Sequence, residues 1–183
     1  VTDAWRAWLP IYREHIVRAA VEHGIEPVRL AAVVWQESNG GVRWTPGDGF
    51  VFSPRFLYRY EPGYWRRYLE GKAEWAPPKG AEDGAPLELW KRRVSASYGL
   101  CQLMYPTAVW LSRGERFEPE ELLDPGLSCE LGARLLASHL AAGGSWREAL
   151  AAYNTGRARP ELTDYDDQVL EKERALRTAG AFS

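Results

Sequence analysis

The chain has 183 residues, enough for one core-sized domain with an appendage and short for two full domains. Its formal net charge of −2 and pI near 6.0 argue against the broad basic footprint of a general nucleic-acid binder, so no nucleic acid is expected as a partner. Apolar and charged fractions of 45% and 26% are ordinary for a globule, whereas 13% aromatic residues, with nine tryptophans, is high and needs a use.

In chain order, residues Trp5–Glu22 carry Trp8, Ile11, Tyr12, His15, Ile16 and Ala19 at three- and four-residue steps, which predicts an amphipathic helix stopped by Gly24. "IEPVRLAAVVWQES" predicts a second helix, opened by Pro27, ended after Ser38 by Asn39-Gly40-Gly41, and apolar on most faces, hence central. Its longest wholly apolar run, Leu30–Trp35, is far below the ~20 residues that span a bilayer, so no integral membrane segment is expected. The opening "VTDAWRAWLP" has no basic n-region, apolar stretch or small-residue cleavage site, so no signal peptide is expected in this chain.

Residues 43–98 break the pattern: they hold six of the twelve prolines and 12 of the 23 aromatics without a sustained period. A long irregular, aromatic-rich insertion is predicted there, with short helices over Tyr64–Glu70 and Leu87–Arg93, because a wholly structureless loop of that length does not suit a compact domain. Helices resume at 105–114, opened by Pro106 and closed by Gly114. The next has Asp124 as N-cap, Pro125 at its first position and Gly143 beyond its end. A Ser145-x-x-Glu148 capping box opens a helix that ends at Gly156, and a last one runs from about Thr163 to Arg177. No strand or hairpin signal stands out. The predicted fold class is mostly α.

Glu37 is the residue with the clearest chemical promise. Apolar turns precede it, which implies partial desolvation, and it sits at the negative end of a helix dipole; both favour the protonated carboxyl. A glutamate so placed can act as a general acid near neutral pH, as lysozyme's does. A surface glutamate at a frayed helix end is the plainer alternative. Cys101 and Cys129 form no C-x-x-C motif; free buried thiols are preferred, and one disulfide between them stays open. His15, His23 and His139 are scattered and suggest no metal-ligand set.

Four stretches occur in a suggestive order: Glu37-Ser38, "GLCQLMYPTA" at 99–108, "LLDPGLSCELGA" at 122–133, and "AAYNTG" at 151–156. They resemble the motifs of the soluble lytic transglycosylase (SLT), goose-type-lysozyme-like family of peptidoglycan-cleaving enzymes: E-S, then G-L-M-Q-[IL]-M-P-x-T-A, then L-x-D-P-x-x-N-I-x-x-G, then A-Y-N-x-G. Here Cys101 replaces a methionine, Ser128 an asparagine, and Tyr105 is added before Pro106. "ELTDYDDQVL", 161–170, is similar to the family's later E-T-x-x-Y-V segment, and "RYEPGYWRRYL", 59–69, to an R-Y-E-P-x-F-Y-R-R stretch of a bacterial and phage branch.

The resemblance implies a single lysozyme-like catalytic domain over 1–183, with an insertion at about 43–98. It implies Glu37 as the catalytic acid, and substrate contacts at Ser38, Glu61, Gly99, Leu100, Cys101, Gln102, Tyr153, Asn154 and Glu161, with Tyr165 packing behind. No metal and no cofactor are expected. The implied partner is a peptidoglycan glycan strand, met outside the cytoplasm in periplasm, cell wall or phage particle, with a phage or cell-envelope assembly as a parent.

The reaction it implies is cleavage of the β-1,4 bond between N-acetylmuramic acid and N-acetylglucosamine, ending in a 1,6-anhydro sugar. Two alternatives stay open: a hydrolytic muramidase with Glu61 as second carboxylate, and a wall-binding module without turnover. Glu61 also reads as an ion-pair partner of Arg59, Arg66 or Arg67. Trp44, Trp65, Trp75 and Trp90 read either as packing or as groove lining, and Asp166 and Asp167 as an exposed acidic helix start.

Overall fold

Helix α2 (Pro27–Glu37) is the axis of the molecule, with Val28, Leu30 and every residue from Ala31 to Trp35 buried. Pro27 opens it, where its missing N–H costs nothing. The computed structural model describes residues 3–142, 144–157 and 161–183, the side chain of Trp44 excepted. The predicted role of Gly143 beyond a helix end and that of the Trp44 side chain therefore lie outside the described residues.

Helix α1 (Trp5–Glu22) packs on α2 and on α5 (Pro125–Ala141) through Trp8, Tyr12, Ile16 and Ala19. Ile11, expected on the same stripe, is instead 61% exposed. Helix α7 (Asp164–Thr178) packs on the other flank of α2 and against α6 (Trp146–Thr155). The predicted caps are present: Asp124 accepts from the Leu127 N–H at 2.8 Å, Ser145 and Glu148 form a capping box, and Gly156 closes α6 in the left-handed region at φ 66°.

The absence of strands expected from the sequence is corrected by two small sheets. β1 (Val42–Thr45) and β2 (Gly49–Phe52) form a hairpin around Pro46-Gly47-Asp48, with φ of 94° at Gly47 and 73° at Gly49, values that glycine adopts without strain. β3 (Tyr58–Tyr60), β4 (Ala96–Tyr98) and β5 (Leu103–Met104) form an antiparallel sheet in the order β3-β4-β5. β3 pairing with β4 closes the insertion on itself, and β4 pairing with β5 stitches it to the main body. One of its predicted short helices is a five-residue π-helical turn, Trp65–Leu69, and the other is α3 (Gly84–Val94).

The insertion shares the core: Leu57, Leu69 and Trp75 are buried in the same apolar cluster as α1 and α2. Its main anchor is aromatic. Trp75 packs edge-on to Tyr105 at 5.8 Å, Tyr105 packs on Phe117 at 5.7 Å, and the Trp90 indole N–H donates to the Trp75 carbonyl at 3.2 Å. Tyr105, the added residue at the start of α4 (Tyr105–Leu111), also donates its hydroxyl to the Phe117 carbonyl. Trp75 is buried, and Trp65 and Trp90 are half-buried against the core, so these three tryptophans pack.

Asp166 corrects another expectation. It is fully buried, its carboxylate accepting from the Thr163 N–H at 2.6 Å and from Arg147 Nε of α6 at 2.6 Å. Burial pushes its pKa up, but the Thr163 amide and the Arg147 guanidinium outweigh that and hold it below the usual carboxylate value. Asp167, exposed as expected, also pairs with Arg147. Asp166→Ala should cost about 1–3 kcal/mol in urea unfolding at neutral pH, from a lost cap and a guanidinium left without its buried partner. Since the folded-state pKa is lowered, the stability is present above the unfolded-chain value and is lost as pH falls through the folded one. Equal stability of parent and variant at pH 7 would remove the clamp from the account.

Candidate active site

Glu37 ends α2, and the next three residues explain why the chain breaks there. Ser38 is buried; its hydroxyl donates to the Leu100 carbonyl at 2.8 Å and accepts from the Gly40 N–H at 3.2 Å. Gly40, at φ 61°, lies flat on the Trp8 indole, so that a Cβ there would meet Trp8 Cγ at 2.2 Å. Only glycine fits. Asn39 accepts from the Trp8 indole N–H at 3.3 Å and donates to the Val42 carbonyl at 2.6 Å. The breaker is a tether that fixes the end of α2 to α1 and to the Gly99–Gln102 turn.

Glu37 opens onto a cleft of roughly 1120 Å³. Among the residues expected to meet a substrate, Glu61, Gln102, Tyr153 and Asn154 line this cleft with Glu37. Ser38, Gly99, Leu100, Cys101 and Glu161 are not among its lining residues. Ser38, Gly99, Leu100 and Cys101 are buried behind it and support it: a Cβ on Gly99 would strike the Leu122 carbonyl at 2.1 Å, and Cys101 packs on Gly132. The Cys101 N–H donates to Ser128 Oγ at 3.1 Å, so the serine in the asparagine position still holds the turn. Cys101 and Cys129 are both free and buried, and Glu161 is exposed.

Gln102 is built into the wall. It is 8% exposed, sits in the left-handed region at φ 47°, accepts from Ser97 Oγ at 3.1 Å and donates to the Gly99 carbonyl at 2.9 Å. A non-glycine residue held there by its surroundings is strain of the kind found at functional sites. One amide N–H remains for a ligand. Tyr153 donates its hydroxyl to the Cys101 carbonyl, which fixes the ring beside the cleft.

Tyr165 proves more than a packing residue. Its hydroxyl donates to Glu37 Oε1 at 2.5 Å, from a helix 128 residues further on. Burial is the main influence on Glu37 and raises its carboxyl pKa above the ordinary 4.5; the Tyr165 hydroxyl and the nearby Arg59 charge pull the other way without cancelling it. Burial and the Glu37 carboxyl beside it push the Tyr165 phenol up, so it stays a donor.

Glu61 is occupied: its Oε1 accepts from Arg59 Nε at 2.7 Å, one of the pairings expected from the sequence. Several further cleft residues were not singled out from the sequence as site residues, Trp110 and His139 among them. Trp110, 65% exposed, stands on the wall, and His139 lies beside the cleft with its pKa lowered by burial. A tryptophan in a helix reads as core, and only the packing shows which face stays open.

Among the described residues Glu22, His23 and Glu130 bring potential metal-ligating atoms within 4.8 Å of one another. Glu130 Oε1 already accepts from Arg134 at 2.7 Å and faces His23 Nε2 at 2.9 Å, an arrangement satisfied as an ion-pair cluster. None of the three lines the cleft.

The transglycosylase SLT domain model matches residues 14–173, most of the chain and all four motif stretches. The chain belongs to the SLT family. No curated protein and no solved structure gives a significant match. For an SLT domain the activity at family level is peptidoglycan cleavage of the lytic-transglycosylase type, and the mostly helical fold agrees with that family.

Tyr165→Phe tests the hydrogen bond from Tyr165 to Glu37. The hydroxyl stabilises the carboxylate form, so removing it should raise the Glu37 pKa further. If activity requires the protonated acid, the high-pH limb of the pH–rate profile should move to higher pH. A limb that stays in place or moves down would show that the hydroxyl does not act on Glu37.

Proposed function

We propose that this domain is a peptidoglycan lytic transglycosylase, cleaving the β-1,4 bond between N-acetylmuramic acid and N-acetylglucosamine, with Glu37 as the sole acid and base. The observation that carries the proposal is the contrast between the two cleft carboxylates. Glu37 is desolvated, with a raised pKa, while Glu61 is held by a guanidinium. Glu37 can give a proton, while the Arg59 guanidinium competes with water or sugar for the Glu61 carboxylate.

Glu37, protonated, donates to the bridging oxygen as positive charge develops at the muramic-acid anomeric carbon. The sugar's own N-acetyl oxygen stabilises that carbon. Glu37, now a carboxylate, takes the proton from the C6 hydroxyl, whose oxygen attacks the anomeric carbon to close the 1,6-anhydro ring. The Tyr165 hydroxyl supports the carboxylate during the interval. Gln102, Tyr153 and Asn154 hold the sugars. Ser38, Gly99, Leu100 and Cys101 shape the wall from behind, and Glu161 stands outside it. The whole chain acts as one catalytic domain on a glycan strand outside the cytoplasm, with residues 43–98 forming a wall of the cleft; a phage or envelope assembly is a fitting parent.

A second reading has an observation in its favour: Glu61 lines the same cleft as Glu37. A hydrolase would use it as base or nucleophile, and its products would carry reducing ends. Mass analysis of sugars released from purified peptidoglycan separates the two. The proposal expects 1,6-anhydro ends, a loss of about 10²–10⁴-fold for Glu37→Gln, and a loss below about tenfold for Glu61→Gln. Reducing ends with equal losses in both variants would establish the hydrolase. No released sugar from the folded parent would leave a binding module.

A further inference from the structure

The cleft contains a cation that the proton chemistry does not use. Arg59 and Arg67 both line it, but only Arg59 is neutralised, by Glu61. Among the described residues no carboxylate lies within ion-pair distance of Arg67. Its guanidinium stands 5.7 Å from the centre of the Tyr68 ring, and Tyr68 packs on Tyr64 at 4.8 Å between ring centres. Both tyrosines line the cleft as well.

The backbone that presents this group is unusual. Residues Trp65–Leu69 form a π-helical turn, with the Glu70 N–H bonded to the Trp65 carbonyl at 2.9 Å, five residues back. Gly63 and Gly71, at φ 80° and 77°, bound it. Single π turns are rare and concentrate at functional sites. Leu69 is buried in the core and holds the turn in place, while Tyr64, Arg67 and Tyr68 look onto the cleft. A guanidinium beside a ring and without a carboxylate partner keeps its N–H groups free, and they match a carboxylate with two parallel hydrogen bonds.

We propose that Arg67, with Tyr64 and Tyr68 on the π-helical turn, forms a carboxylate-binding subsite of the cleft. The inference rests on the glycan reading above, which supplies a carboxylate-bearing substrate. Two sources share the chemistry: the lactyl carboxylate of a peptide-free muramic acid, and the free carboxylates of an attached stem peptide. The tyrosine faces give a sugar ring or an alkyl stem an apolar floor. The subsite would set substrate preference rather than rate, because a guanidinium keeps its protons and takes no part in the transfer that Glu37 handles.

The test compares the parent with Arg67→Gln and Arg67→Lys on four substrates: peptide-free strands, stem-bearing strands, and each of these after conversion of its carboxylates to primary amides. We expect Arg67→Gln to raise KM about tenfold on unmodified strands, which is the loss of one charge-assisted contact, with kcat changed less than twofold. Parent and variant should converge on the amidated strands. Arg67→Lys should recover part of the loss. An effect confined to peptide-free strands identifies the lactyl group, and one confined to stem-bearing strands identifies the stem. Equal KM for parent and Arg67→Gln on both unmodified strands overturns the subsite. If the parent releases no sugar, the enzymatic reading fails separately, and calorimetric binding of the same four strands decides the subsite by the same tenfold difference.

Discussion

A half-buried carboxyl group at the end of an apolar helix, partly withdrawn from water, is the constraint around which this structure is arranged. Burying Glu37 favours its neutral form, and the negative end of α2 adds to the same tendency. The protein opposes this only in part: Tyr165 gives one hydrogen bond, and Arg59 gives a charge already shared with Glu61. A full set of donors would make a stable carboxylate and a poor acid. Partial support leaves a group that can hold a proton, release it, and be stabilised while it is gone.

Much of the rest of the fold serves to keep that geometry. Trp8 and Gly40 press the α2 terminus against α1, and Ser38 ties it to the Leu100 carbonyl, so the acid and the Gln102 wall are parts of one assembly. Tyr165 arrives on α7, whose first turn is held by the buried Asp166 and Arg147 of α6. The acid is therefore positioned by contacts from both ends of the chain. The insertion closes the other side through the Trp75, Tyr105 and Phe117 stack, which accounts for part of the aromatic excess as structural mortar.

The helices were legible because each carries its own punctuation: Pro27, Pro106 and Pro125 at helix starts, capping residues at 124 and 145, and glycines at 24, 114 and 156. Glu37 was legible for the same local reason. The hairpin was missed although Pro46-Gly47-Asp48 is a turn signal, because its strands are four residues each and too short for an alternation to show. The Tyr165 partner of Glu37 and the Arg147 partner of Asp166 were not legible, since those bonds span 128 and 19 residues and depend on helix packing rather than on any local pattern. Ser38, Leu100 and Cys101 show a further limit. A motif marks residues needed at a site, but only packing separates those that face the cleft from those that hold it up.

Direct titration of the Glu37 carboxyl is the measurement closest to the central claim. Carboxyl infrared or carbon-13 spectra of the parent, with Glu37→Gln spectra subtracted, would isolate this one group across the acid range. The midpoint is expected clearly above the ordinary 4.5, because burial outweighs the Tyr165 hydroxyl and Arg59. A midpoint at or below 4.5 would mean that Glu37 is a supported carboxylate at neutral pH, and the proton for bond cleavage would have to come from another group.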